Sequence, residues 1–217
     1  MLLELPEELR GLILSFFSRK EYKETVPCKG LFLCKSYLSL EDFVKLQEIP
    51  KVNLSQQELK ELFIKSCQTG NAWLVDKLIV KFKVDPAIED NYAITEASIH
   101  GHSKVVDRLL QDPRVDPSAD DNEAIRMACY YGLIEVVERL LLDPRVDSTV
   151  WNNHPIRVAS EYGHLEVVEI LLKDPRVDPS ADNNYAIKNA AKESYFRVVE
   201  LLLKDPRVRS KDRTRLG

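Results

Sequence analysis

The sequence predicts an all-α fold, an α-solenoid of about five helix–turn–helix repeats with a 31-residue period, preceded by a short helical N-terminal segment. Three observations predict it. Segments written from Asn91, Asn122, Asn153 and Asn184 superimpose, with Ile94, Ile125, Ile156 and Ile187 on one register and Ala97, Ala128, Ala159 and Ala190 on another. The pair Val105-Val106 recurs as Val136-Val137, Val167-Val168 and Val198-Val199. Four of the seven glycines, Gly70, Gly101, Gly132 and Gly163, share a register that extends the pattern upstream. A degenerate first copy runs through Phe63, Ser66, Gly70, Leu74-Val75, Leu78-Ile79 and Val84-Asp85-Pro86.

Within a unit the first helix starts near Asn91, where an Asn side chain is suited to cap free backbone N–H groups. Ile94, Ala97 and Ser98 share one face, and Gly101 supplies the left-handed stop. The second helix carries Val105, Val106, Leu109 and Leu110 on one stripe. Asp112-Pro113 breaks it, because proline has no N–H and disfavours a helical residue before it. A small alanine on the first helix lets it approach the large aliphatics of the second. Between units, DPRVDPSADDN offers Pro, Asp and Ser for a protruding turn. A single unit buries too little apolar surface to order itself, so stability must come from stacking on neighbours. The units expected are about 59–89, 90–120, 121–151, 152–182 and 183–209, with a basic tail at 210–217.

Composition narrows the function classes. Apolar residues make up 44% and charged residues 30%, an ordinary globular balance that argues against disorder. The net charge of −4 gives no reason to expect nucleic-acid or membrane binding. No apolar run approaches the ~18 residues of a membrane span. The opening MLLELPEELRGLILSFF is interrupted by Glu4, Glu7, Glu8 and Arg10, which argues against a signal or transit peptide. Cys28, Cys34, Cys67 and Cys129 show neither metal spacing nor a disulfide framework, and fit reduced thiols in a cytoplasmic or nuclear protein.

No nucleotide-binding, metalloprotease or hydrolase motif is present, so no enzyme activity, cofactor or small-molecule substrate is expected. His100 and His102 form an H-x-H pair without a third ligand, and no metal site follows. A structural hydrogen bond to the neighbouring loop explains His102 and His164 better. Asp120-Asp121-Asn122-Glu123 lacks the calcium-loop spacing, and helix capping is the expectation for those acids. Arg207, Arg209, Lys211, Arg213 and Arg215 give the tail its charge: a solubilising end is the plain reading, a nuclear signal or RNA contact the functional one.

These units resemble ankyrin repeats. Tyr92-Ala93-Ile94-Thr95, Ala97-Ser98 and Gly101-His102 stand where that family has T-P-L-H-x-A-A-x-x-G-H, and GHLEVVEILL from Gly163 to Leu172 is close to its consensus. The family's Thr-Pro-Leu-His core and Gly-Ala-Asp stretch are replaced, the latter by Asp-Pro-Arg-Val-Asp. Arrays with this replacement are similar to the divergent ankyrin proteins of large DNA viruses of protists. The resemblance spans about residues 59–209 and implies a protein-binding module with a concave face.

Residues 1–58 are off register. Leu5-Pro6-Glu7-Glu8-Leu9 suits a helix start, Leu9, Leu12, Ile13, Phe16 and Phe17 make an apolar face, and Ser55 with Glu58 forms a capping box before the first repeat helix. The order L-P-E-E-L, I-L-S-F-F and a later C-K resembles an F-box. That resemblance implies a Skp-type linker protein of a ubiquitin ligase as partner, facing Leu5, Pro6, Leu9, Ile13 and Phe17. The alternative is a helical cap on the end of the solenoid.

What varies between copies marks the candidate face. The tip register reads Asp120, Trp151, Asp182; the next reads Tyr92, Glu123, His154, Tyr185; the positions before the glycine include His100, Tyr130, Tyr131 and Tyr162. A Trp with several Tyr on one face is the composition of a protein-binding hot spot. The competing reading packs these tyrosines between repeats. Three functions follow: a partner-binding module, a ubiquitin-ligase substrate receptor, or a purely structural array.

Overall fold

The structure, a computed structural model, describes residues 55–208. The chain divides into two compact units, Met1–Glu58 and Leu59–Gly217. Leu5, Pro6, Leu9, Ile13 and Phe17 lie outside the described residues, as does the basic tail at 210–217. The helices are α1 (Gln56–Gln68), α2 (Ala72–Val80), α3 (Ile88–Ile99), α4 (Ser103–Leu110), α5 (Ala119–Tyr130), α6 (Ile134–Leu141), α7 (Val150–Glu161), α8 (Leu165–Leu171), α9 (Ala181–Lys192) and α10 (Phe196–Leu202). No strand occurs among the described residues, and none of their helices is long and apolar enough to cross a membrane.

The fold is an all-α solenoid in two layers. The first helices α3, α5, α7 and α9 stack in sequence, and the second helices α2, α4, α6, α8 and α10 form a parallel row behind them. The repeated residues make the core: Ile94, Ile125, Ile156 and Ile187 are buried, as are Ala97, Ala128, Ala159 and Ala190. The first valine of each pair is buried throughout; the second is buried at Val106, Val137 and Val168, but half-buried at Val199 in the last described unit. The capping box also forms, with Glu58 N–H donating to Ser55 Oγ at 3.2 Å and Ser55 N–H to Glu58 Oε2 at 2.9 Å.

Glycine ends each of the first four first helices for two reasons. Gly132 has φ +69°, where an L side chain is strained, and a Cβ there would lie 2.5 Å from His164 Nδ1. His164 Nε2 donates to Tyr130 O at 2.9 Å, and His102 Nε2 donates to Gln68 O at 2.8 Å in the same way. At these two ends the next unit supplies an imidazole that closes off the preceding helix, while Leu133 stands against Gly101 and Tyr195 against Gly163. The H-x-H pair is therefore structural: the two rings lie 6.2 Å apart and His102 is committed to a carbonyl.

Asp-Pro-Arg is a staple as well as a helix breaker. Asp143 Oδ1 accepts both the backbone N–H and the Nε–H of Arg145, at 3.0 and 2.9 Å, while Oδ2 accepts from Nη2 at 2.6 Å. Asp112–Arg114, Asp174–Arg176 and Asp205–Arg207 repeat the geometry. Arg145 Nη1 also donates to Val115 O at 2.7 Å, and Arg207 Nη1 to Val177 O at 2.8 Å, which ties these staples to the preceding unit. The arginine hydrogen bonds hold all four carboxyls below their usual range.

Candidate protein-binding face

The turn register is where the structure corrects the sequence reading. Residues 89–91, 120–122, 151–153 and 182–184 each run three consecutive residues in the left-handed region, with φ between 50° and 66°. A left-handed turn costs ordinary L residues roughly 1–2 kcal/mol each. Asp and Asn tolerate it best, and they fill every one of these positions except Glu89 and Trp151.

Asn91 does not cap its own helix. Its Oδ1 accepts the backbone N–H of Asp116 in the next unit at 2.7 Å; Asn122 does the same for Asp147 and Asn153 for Asp178, both at 2.7 Å. Asp120 and Asp121 are likewise not helix caps, because they stand inside the left-handed turn and no side chain caps α5. In the last three turns, freed carbonyls are taken up by basic side chains further along the helix. Arg126 donates to Asp121 O at 3.0 Å and Asp120 O at 3.2 Å, Arg157 to Trp151 O at 3.1 Å, and Lys188 to Asn183 O.

Trp151 stands on this scaffold and is 53% exposed. One face of its ring covers the Arg126 guanidinium, 3.8 Å from the centroid, and His154 meets it edge-on at 5.8 Å. Burial, then the Arg157 and Arg126 charges, lower the His154 pKa from its usual value. Arg157 pairs with Asp182 and lies over the Tyr185 ring at 5.0 Å, while Tyr185 donates to Glu161 at 3.0 Å.

A second cluster joins Tyr130 to Tyr131 at 4.9 Å and to Tyr162 at 4.6 Å. The hydrogen bond with Tyr130 is the main reason the Tyr162 hydroxyl is pushed up to about 12. Tyr131 and Tyr162 are exposed, against the reading in which they pack between repeats, whereas Tyr130 is half-buried. Tyr92 and His100 stand together around Glu96: the Tyr92 hydroxyl bonds its side chain and His100 Nδ1 donates to its carbonyl at 2.9 Å. Glu123 is half-buried, and burial followed by the Asp120 charge raises its pKa. Sequence reasoning missed Arg126 and Arg157. The signal was present, since a basic residue recurs at 126, 157 and 188, four residues past each of the last three turns.

Residues 125–212 match a family model, ankyrin repeats (3 copies).

No curated protein matches the chain. Ankyrin repeats serve in general as protein–protein interaction modules. The matched region holds Trp151, both arginines and the tyrosine cluster, while the units before it repeat the same glycine–histidine and asparagine contacts.

Proposed function

We infer that this chain is a non-enzymatic binding protein that holds another protein on the row of left-handed turns and first helices, centred on Trp151. One observation carries the reading. Trp151 occupies a left-handed position that Asp or Glu fills in the neighbouring units, and more than half of it faces solvent. A bulky residue there is a backbone outlier that stacking does not require, and such outliers concentrate at functional positions. Tyr131, Tyr162, Tyr92 and His100 are exposed as well, while Tyr130, Glu123, His154 and Tyr185 are half-buried at the corresponding registers of their units. A reducing compartment, the cytoplasm, suits the two described cysteines. Cys67 and Cys129 are free and buried, and burial raises both thiols far above their ordinary value. The Asp-Pro-Arg-Val-Asp recurrence supports the likeness to arrays of large DNA viruses, in which case the compartment is the host's.

The test is Trp151→Asp, which places in this unit the residue found at positions 120 and 182. The immobilised protein should lose its captured partner from native-cell extract while its thermal midpoint does not fall. Retention of the same partner at unchanged affinity removes this face.

A second reading rests on Leu5-Pro6-Glu7-Glu8-Leu9 and the apolar face through Phe17. There the chain is a substrate receptor that docks a Skp-type linker protein while the repeats present a target. Leu9→Asp with Ile13→Asp should abolish linker recovery; recovery unaffected by both changes ends this reading.

A further inference from the structure

We propose that the Trp151 face takes an aspartate or glutamate side chain of the bound protein, whose carboxylate pairs with Arg126 beside the Trp151 ring. The proposal deepens the reading of that face as the partner site and rests on it. Repeat symmetry is the first argument. Arg157 pairs with Asp182, the residue 25 positions later in the turn of the next unit. Arg126 holds the equivalent place one unit earlier, and the residue 25 positions past it is Trp151. The array therefore puts an indole where the carboxylate partner of Arg126 would stand.

The second argument is the state of Arg126 itself. It is 6% exposed, and an arginine is seldom buried so far without a counter-charge. Among the described residues it enters no ion pair: Nε and Nη2 donate to the backbone carbonyls of Asp121 and Asp120, and Nη1 donates to none of them. Trp151 covers the flat face of the guanidinium at 3.8 Å. Its hydrogen bonds leave in the plane, so the ring does not cover the edge that carries Nη1. Glu123 senses this cation, yet burial and then the Asp120 charge raise its pKa, so it is no full counter-ion.

The third argument is a surplus of donors and positive charge. His154 Nδ1 and Arg157 Nε are buried without a hydrogen-bond partner, and both residues lean on Trp151: the His154 ring meets it edge-on, and Arg157 Nη2 donates to its carbonyl. After burial, the Arg157 and Arg126 charges lower the His154 pKa; Glu161 opposes them, but it already accepts from Tyr185. The turn itself, Trp151-Asn152-Asn153, carries no acid. A site with cations and donors in excess selects an anion. Asp120 and Asp121 stand exposed on the preceding turn, so a run of acids is repelled and a single carboxylate fits.

The probe is a library of random peptides displayed on phage and panned on the immobilised full chain. Peptides retained by the unaltered chain but not by Trp151→Asp, which gives Arg126 an internal carboxylate, should each carry a single Asp or Glu. Such a peptide is resynthesised with acetylated and amidated ends, so that only a side-chain carboxylate counts. Changing its acid to the amide should weaken binding to the unaltered chain about tenfold. Against Arg126→Met the two forms should bind equally. Trp151→Asn and Trp151→Asp repeat the comparison with Arg126 intact, since both residues suit the left-handed turn. The acid form should keep its advantage on the first and lose it on the second. An acid that confers no advantage on the unaltered chain, or an advantage that survives either Arg126→Met or Trp151→Asp, overturns the proposal and leaves the face standing as a partner site. If no retained peptide depends on Trp151, the face and the proposal fall together.

Discussion

Asparagine at the third turn position performs two tasks that a comparison of neighbours separates. Asn152 and Asn153 share the left-handed conformation, with φ of 57° and 59°. Only Asn153 is buried and accepts the Asp178 N–H. Asn152→Ala should therefore cost roughly the left-handed penalty alone, about 1–2 kcal/mol. Asn153→Ala should cost about 1–3 kcal/mol more, because a buried backbone donor loses its acceptor. Urea unfolding of the two variants measures the difference, and equal losses would mean the inter-unit bond carries no net stability. The sequence displayed the asparagine register but not its partner. A cap and an inter-unit acceptor use the same side chain at the same place, and only the path of the next loop decides between them.

Among the elements, the Asp-Pro-Arg staple makes stability pH-dependent with a definite sign. Asp174 is the most strongly affected carboxyl: hydrogen bonds from Arg176, then from Ser148, hold its pKa well below normal. A carboxyl lowered by folding contributes stability above its unfolded value of about 3.9, and that contribution is lost as pH falls through the lower folded value. Urea midpoints should therefore drop steeply below about pH 4. Asp174→Asn should lower the midpoint at pH 7 and flatten this acid limb; a limb of unchanged slope would assign the effect elsewhere. The helix pairs themselves were legible because isoleucine, alanine and the valine pair mark the buried faces at every copy. The staple was hidden by its own proline, which announces a helix end so plainly that the flanking Asp and Arg look like ordinary turn residues. The left-handed turn was hidden for a related reason, since Asp and Asn suit caps, turns and left-handed backbone alike.

At the scale of the whole array, equally buried residues should differ in consequence according to position. Ile125 and Ile187 are both fully enclosed, but α5 packs between α3 and α7, whereas α9 has a first-helix neighbour only at α7 among the described residues. Each substitution to alanine removes about 2–5 kcal/mol of local packing. Ile125→Ala should weaken stacking on both sides and lower a single transition. Ile187→Ala should melt α9 and α10 early and leave the preceding units protected from amide exchange. Identical exchange profiles for the two variants would contradict nearest-neighbour coupling. The likeness of the units was the easiest thing to see in the sequence. Candidate contact residues such as Trp151 stood out because they broke that likeness, while their supports Arg126 and Arg157 conformed to it and went unnoticed.

The asparagine-to-amide bond reaches across 25 positions and the imidazole-to-carbonyl bond across 34, each crossing a junction between units. No 31-residue module is therefore self-contained: the asparagine bond recurs at three junctions, and the imidazole bond is added where His102 and His164 follow a glycine end. Lengthening the array by gene duplication preserves every such bond provided whole periods are inserted, whatever the starting residue. An insertion of any other length strands the amide that the asparagine accepts, and a carbonyl too where a histidine spans the junction, which gives a simple chemical reason for the period to stay constant while the tips diversify.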